Sequence, residues 1–155
     1  MNSDTLFAAA NDLVLPGWLL LLLLPRWRWT TGFITSCLLP GLLAIAYLVL
    51  MAANFGRDGA GFSAFNSLDG IKGLFQNDAV LLAGWIHYLA FDLFIGSWEV
   101  RDAHRLAIPH WAVVPCLVCT LMLGPIGLLL YLLLRLALRG RWYIDSLDVN
   151  APSAA

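Results

Sequence analysis

The sequence predicts an all-α fold, an integral membrane four-helix bundle, with one domain over residues 1–142 and a short polar tail over 143–155. Three observations carry that prediction. Apolar residues make up 61% of the 155-residue chain and charged residues only 12%, where a soluble domain carries about twice that charge. Mean hydropathy is +0.79. Four largely apolar runs, over residues 6–24, 33–53, 79–98 and 111–134, are each long enough to cross a hydrocarbon core about 30 Å thick at about 1.5 Å per helical residue. Runs of this kind satisfy their backbone only as helices, since barrel strands alternate in polarity. A net charge of −1 leaves no basic surface for nucleic acid, and the length leaves no room for a separate soluble catalytic unit.

The first run contains Asn11, Asp12 and Pro16, and the second holds no charge. The N-terminus lacks the basic region of a cleavable signal, so the first helix is expected to be retained. The connection after the second run is too long for a tight turn. Its piece GFSAFNSLDGIKGLFQ spaces Phe62, Phe65, Leu68, Ile71, Leu74 and Phe75 at near-helical intervals, which reads as an interfacial amphipathic helix between helices two and three. It serves as a surface connector or as a lid over a cavity. The third run carries His87 and Asp92 well inside it. The fourth carries Cys116, Cys119, Gly124, Pro125 and Gly127, and the Gly-Pro-x-Gly stretch predicts a kink with close backbone approach. Four crossings put both termini on one side, which then holds Arg57, Lys72, Arg135, Arg139 and Arg141 against Arg26, Arg28, Arg101 and Arg105 on the other. Five against four barely orients the chain, with a lean to the terminal side as cytoplasmic. Trp27, Trp29, Trp98, Trp111 and Trp142 fall near helix ends, as in an interfacial aromatic belt.

Ionisable groups inside a span cost a few kcal/mol each unless paired or facing a polar cavity, and they mark function by default. His87 and Asp92 are therefore the leading candidates, expected to face the bundle interior or a cleft. Five residues apart, they point about 140° away from each other. Asp92 shares a face with Trp85, Tyr88 and Glu99, and His87 with Phe91, Phe94 and Trp98. Counting residues from the helix ends puts Asp12, Tyr47 and His87 at similar depth, about 9–12 Å in. The bland alternative is that His87 and Asp92 each make an inter-helix hydrogen bond that holds the bundle together. Cys116-x-x-Cys119 lies in a span and reads as small residues at a packed face rather than a redox pair. No spacing joins His104 and His110 to His87 as a metal site, and no metal is expected.

The run Ala83-Gly84-Trp85-Ile86-His87-Tyr88-Leu89-Ala90-Phe91-Asp92-Leu93-Phe94, with Gly124-Pro125-Ile126-Gly127-Leu128-Leu129 in the last span and Gly70-Ile71-Lys72-Gly73-Leu74-Phe75 in the loop, resembles the ABA4-like family. Its plant members are plastid membrane proteins required for neoxanthin formation. The resemblance implies a four-helix protein associated with carotenoids. This chain has no plastid transit peptide, so the expected home is a bacterial inner (cytoplasmic) membrane, crossed several times, with a thylakoid-type membrane as the alternative.

The function so implied is binding, and modification, of carotenoids, with the lipid bilayer as the second partner. If the protein is an enzyme, the expected chemistry is cofactor-independent isomerisation of an oxygenated end group. Asp92 or His87 would act as general acid, and Asp12 or the remaining member of that pair would take a carbon-bound proton. Trp85, Tyr88, Phe91, Phe94 and Tyr47 are the expected carotenoid-binding side chains. The alternative is a non-catalytic accessory subunit of a photosynthetic pigment–protein complex, with other membrane subunits as partners. A transporter or proton-relay component is a third reading, which four helices without internal repeats make weakest.

Overall fold

The computed structural model describes residues 2–56 and 61–140; the C-terminal tail over 143–155, Arg57, Arg141 and Trp142 lie outside the described residues. Within them all regular structure is helical, in the order α1 (Ser3–Leu23), α2 (Thr30–Asn54), a 3₁₀ turn (Phe62–Asn66), α3 (Leu68–Leu74), α4 (Asp78–Arg105), α5 (His110–Leu123) and α6 (Pro125–Arg139). The helical membrane bundle expected from composition is what forms. Helices α1, α2 and α4 are long and apolar enough to cross a bilayer.

The 28-residue α4 is the axis, and the other helices pack around it. Helix α1 runs parallel to it. Phe7 and Asn11 meet Trp85 near one end, and Trp18 lies against Gly96 further along, where a Cβ would come within 2.8 Å of the indole. Helix α2 runs antiparallel, with Thr35 hydrogen-bonded to Ser97 at 3.0 Å and Tyr47 beside His87. Its first nine residues, Thr30–Leu38, are wound as a π-helix. Pro40 offers no N–H and its ring would strike the carbonyl four residues back, so the wider turn accommodates it without ending the helix. The Thr35 hydroxyl takes up the Thr30 carbonyl at 2.8 Å.

The fourth apolar run departs from expectation. It is not one kinked span but two helices of 14 and 15 residues folded back on each other. Gly124 sits at φ 48°, ψ −98°, a conformation that side-chain-bearing residues rarely adopt. Pro125 cannot continue α5 and is well placed as the first residue of a new helix. The two arms touch at Gly127, where a Cβ would lie 2.1 Å from the Thr120 backbone nitrogen. Each arm is about 21–22 Å long, so the tip reaches well past the middle of the hydrocarbon core and returns. Tyr131 and Arg135 on the returning arm meet Asp102, near the C-terminal end of α4. Arg139 donates to the Ala107 carbonyl at the link into α5.

The hairpin reverses one consequence of the four-span reading. The described chain starts at one face of the bundle and ends at the other. Arg135 and Arg139 therefore join Arg26, Arg28, Arg101 and Arg105 at the second face, while Lys72 is the described Lys or Arg at the first, with Asp4, Asp69 and Asp78. Among the described residues a near-tie in basic residues becomes an asymmetry, which by the positive-inside rule favours the C-terminal face rather than the N-terminal one as cytoplasmic.

The segment 61–76 folds as the 3₁₀ turn and α3 rather than one amphipathic helix. Gly70 lies against the Ala64 backbone, closer than any Cβ would allow. Leu74, Ala64 and Val80 form a small core with Met51, Phe55 and Ile71, while Phe62, Phe65 and Leu68 remain exposed, as at a membrane interface. Trp27, Trp29 and Trp111 are exposed at the opposite end, whereas Trp98 turns inward onto Tyr131 at 5.5 Å.

Candidate functional site

Helix α4 carries two chemically different faces because its residues advance about 100° each. One presents Tyr88, Asp92, Glu99 and Asp102 to the α5–α6 hairpin. The other presents His87, Phe91 and Phe94 to α2 and the outside.

The hairpin face is a column of carboxyl groups inside the bundle. Asp92 lies at the hairpin tip, where a Cβ on Gly124 would come within 2.9 Å of its Oδ1 and 3.2 Å of the Tyr88 ring. Only glycine lets the backbone approach so closely. The Asp92 Oδ2 atom is buried and makes no hydrogen bond. Glu99 is fully buried. Its Oε1 accepts the Thr120 hydroxyl at 2.9 Å, and its Oε2 has no hydrogen-bond partner. Asp102 is satisfied instead: Oδ2 accepts the Tyr131 hydroxyl at 2.7 Å and pairs with Arg135 Nε at 2.8 Å. Buried polar groups are ordinarily satisfied, so the two carboxyl oxygens left open at Asp92 and Glu99 distinguish this column from a structural ion pair.

One helical turn from Asp92, a groove of about 200 Å³ runs between α1, α4 and α5, lined by Asn11, Leu15, Trp85, Tyr88, Leu121 and Met122 among others but not by Asp92 itself. Trp85 is fixed there by a hydrogen bond from its Nε1 to Asn11 Oδ1 at 3.3 Å and by contacts with Phe7 and Tyr88. Leu15 and Met122 are exposed, so the groove opens sideways toward lipid.

His87 is on the outward side of α4. Its ring stacks on Phe91 with centroids 4.5 Å apart and lies 5.8 Å from Tyr47. It lines a groove of about 280 Å³ with Tyr47, Gly84, Phe75 and Ile71, walled on one side by the 3₁₀–α3 segment. The 61–76 segment therefore both connects and covers. Phe91 and Phe94 line a further groove of about 390 Å³ with Cys37, Pro40, Gly41 and Ala44 of α2.

The expected residues thus divide into two groups. Trp85, Tyr88 and Asp92 come together, and so do Tyr47, His87, Phe91 and Phe94, on different sides of α4. Asp12 joins neither group: it is exposed on the outer face of α1, because Asn11 is the residue turned toward Trp85 and the next position rotates away. Cys116 and Cys119 are free thiols packed within α5. Glu99, Asp102, Thr120, Tyr131 and Arg135 were not expected as part of a site. Spacings of seven and three from Asp92 to Glu99 and on to Asp102 place all three on one helical face. The place of Glu99 on the face of Asp92 was legible in the sequence, and that of Asp102 was not, because the expected span ends at Trp98.

No curated protein and no solved structure matches the chain. The chain does match the family described as ABA4-like, ABA DEFICIENT 4-like, over residues 5–131, a stretch holding α1, α2, α4, α5 and the first half of α6. By that match, this helical membrane protein belongs to the ABA4-like family.

Proposed function

We propose that this protein takes a carotenoid with an oxygenated end group from the bilayer and isomerises that end group by acid–base chemistry at Asp92. The observation that supports this reading is a carboxyl with one unpartnered buried oxygen at the hairpin tip, separated by Tyr88 from a lipid-facing groove that Tyr88 and Trp85 line. A long polyene reaches such a groove without leaving lipid, and its polar end group is the part that would profit from meeting Asp92.

The chemistry balances without a redox partner. Protonated Asp92 gives its proton to the oxygen of an epoxide on the end group, and one of the two carbon–oxygen bonds breaks, so the oxygen stays on the ring as a hydroxyl. The resulting cation loses a proton from an adjacent carbon to the Asp92 carboxylate, which regenerates the acid and leaves an isomer of unchanged mass. The Tyr88 hydroxyl borders the same carboxyl and would orient it. Asp12 and His87 lie apart from this group, so in this reading neither is the second proton-transfer residue. His87, Tyr47, Phe91 and Phe94 would hold apolar parts of a pigment against α2.

The test is expression in a bacterium that accumulates epoxy carotenoids. A new pigment of unchanged mass should appear with the native chain and fall by about 10²-fold or more with Asp92→Asn, while His87→Gln retains most of it. Equal product from Asp92→Asn would remove Asp92 from the chemistry. An unchanged pigment profile together with co-purification in a larger pigment–protein complex would favour the accessory-subunit reading instead.

A further inference from the structure

At the Arg-rich end of the bundle, a cavity of about 580 Å³ is lined by Arg26, His104, Ala107, Ile108 and Pro109. It lies where the α1–α2 link meets the α4–α5 link, at the base of the hairpin. We propose that this cavity binds a phosphate-bearing anion at the membrane surface, with the headgroup of an anionic phospholipid as the leading source and free phosphate as the other.

Three observations carry the assignment. First, the charge is one-sided. Arg26 and His104 line the cavity, Arg139 reaches the Ala107 carbonyl in its wall, and Arg28, Arg101 and Arg105 lie on the same face. Among the described residues, the carboxylates nearest this end are Asp102, 3% exposed and held by Tyr131 and Arg135, and the buried Glu99. No described carboxylate is therefore free to neutralise the cavity. Second, the wall is fixed. Ala107, at φ 51°, is the left-handed residue that closes α4, its N–H on the His104 carbonyl at 3.2 Å in an ordinary helix C-terminal cap. Ile108 N–H to Ala103 O at 2.8 Å and the Arg139 contact hold it there. Third, the position suits a headgroup. Trp27, Trp29 and Trp111, all exposed, mark the level of the interface, and basic pockets between helices at that level are where anionic headgroups seat. His110 is already engaged, with Nε2 on the Leu22 carbonyl at 3.0 Å, so it ties α1 to α5 and shapes the cavity rather than the ligand. This inference does not depend on the carotenoid reading.

The experiment compares thermal unfolding of the full chain in nanodiscs of pure phosphatidylcholine and in nanodiscs with one quarter phosphatidylglycerol. The expected result is a Tm higher by about 5 °C with the anionic lipid, a gain lost in Arg26→Gln/His104→Gln but kept in Arg28→Gln/Arg101→Gln, which removes at least as much charge from the same face outside the cavity. Each variant is referred to its own Tm in phosphatidylcholine, so a general loss of stability does not imitate the effect. A matching gain from inorganic phosphate in detergent, with the same dependence on Arg26 and His104, would support the site and assign it to free phosphate. No gain from either probe, or the same loss in both double variants, would overturn the proposal.

Discussion

Asp102 and Arg135 show at the level of single residues how this bundle tolerates charge. Both are almost wholly buried, 2.8 Å apart, and Tyr131 completes the group. Attraction between such charges is offset by the loss of their hydration, so the pair as a whole contributes little, but either member alone is costly. Arg135→Met should therefore destabilise the protein by about 3–5 kcal/mol, and adding Asp102→Asn should recover a large part of that loss. Chemical or thermal unfolding in detergent of the two single variants and the double variant checks this. Strictly additive losses would mean that the ion pair does not hold the hairpin to α4. Glu99 differs, because Thr120 occupies only one of its oxygens. Glu99→Gln keeps an acceptor for Thr120 and should leave stability within about 1 kcal/mol, so any change in pigment chemistry with that variant would be a functional rather than a folding effect.

Among the elements, the hairpin rests on two glycines for separate reasons. Gly124 supplies a backbone conformation, with the Asp92 carboxyl against it, and Gly127 supplies space, with Thr120 against it. Gly127→Ala would push the arms apart at their tightest contact and should cost about 1–3 kcal/mol as overpacking. Gly32→Ala in α2, where no atom lies within 4 Å, should be neutral or slightly favourable by helix propensity. Melting curves of the pair distinguish hairpin closure from a general intolerance of substituted glycines; equal Tm values would show that the arms separate freely. The glycines and the proline were legible in the sequence as a break. Their effect was not, because a kink and a reversal use the same residue types. What separates them is whether the second arm finds partners on returning, and Tyr131 and Arg135 do find them on Asp102.

For the whole molecule, the reversal decides topology. With α1, α2 and α4 crossing and the hairpin returning, the described ends fall on opposite faces, and the basic residues gather at the C-terminal one. Reporter fusions should therefore place the N-terminus outside and the C-terminus in the cytoplasm, since short connections rich in arginine stay on the cytoplasmic side. Both ends on one side would contradict the re-entrant hairpin. The amino-acid sequence by itself determined the solvent and the secondary structure: apolar runs of this length have no other way to satisfy their backbone in lipid, and an aspartate and a histidine within α4 were conspicuous against them. Only the tertiary structure decided which faces meet. Hydropathy sums along a chain and is blind to rotation about a helix axis, so it could not place Asn11 rather than Asp12 toward Trp85, nor set His87 and Asp92 in separate surroundings. Nor could it tell a crossing from a hairpin, because both arms of a hairpin in lipid are as apolar as one long helix. The contacts at Asp92, Glu99 and Asp102 settle that, since they bring residues far apart in the chain to one face of α4.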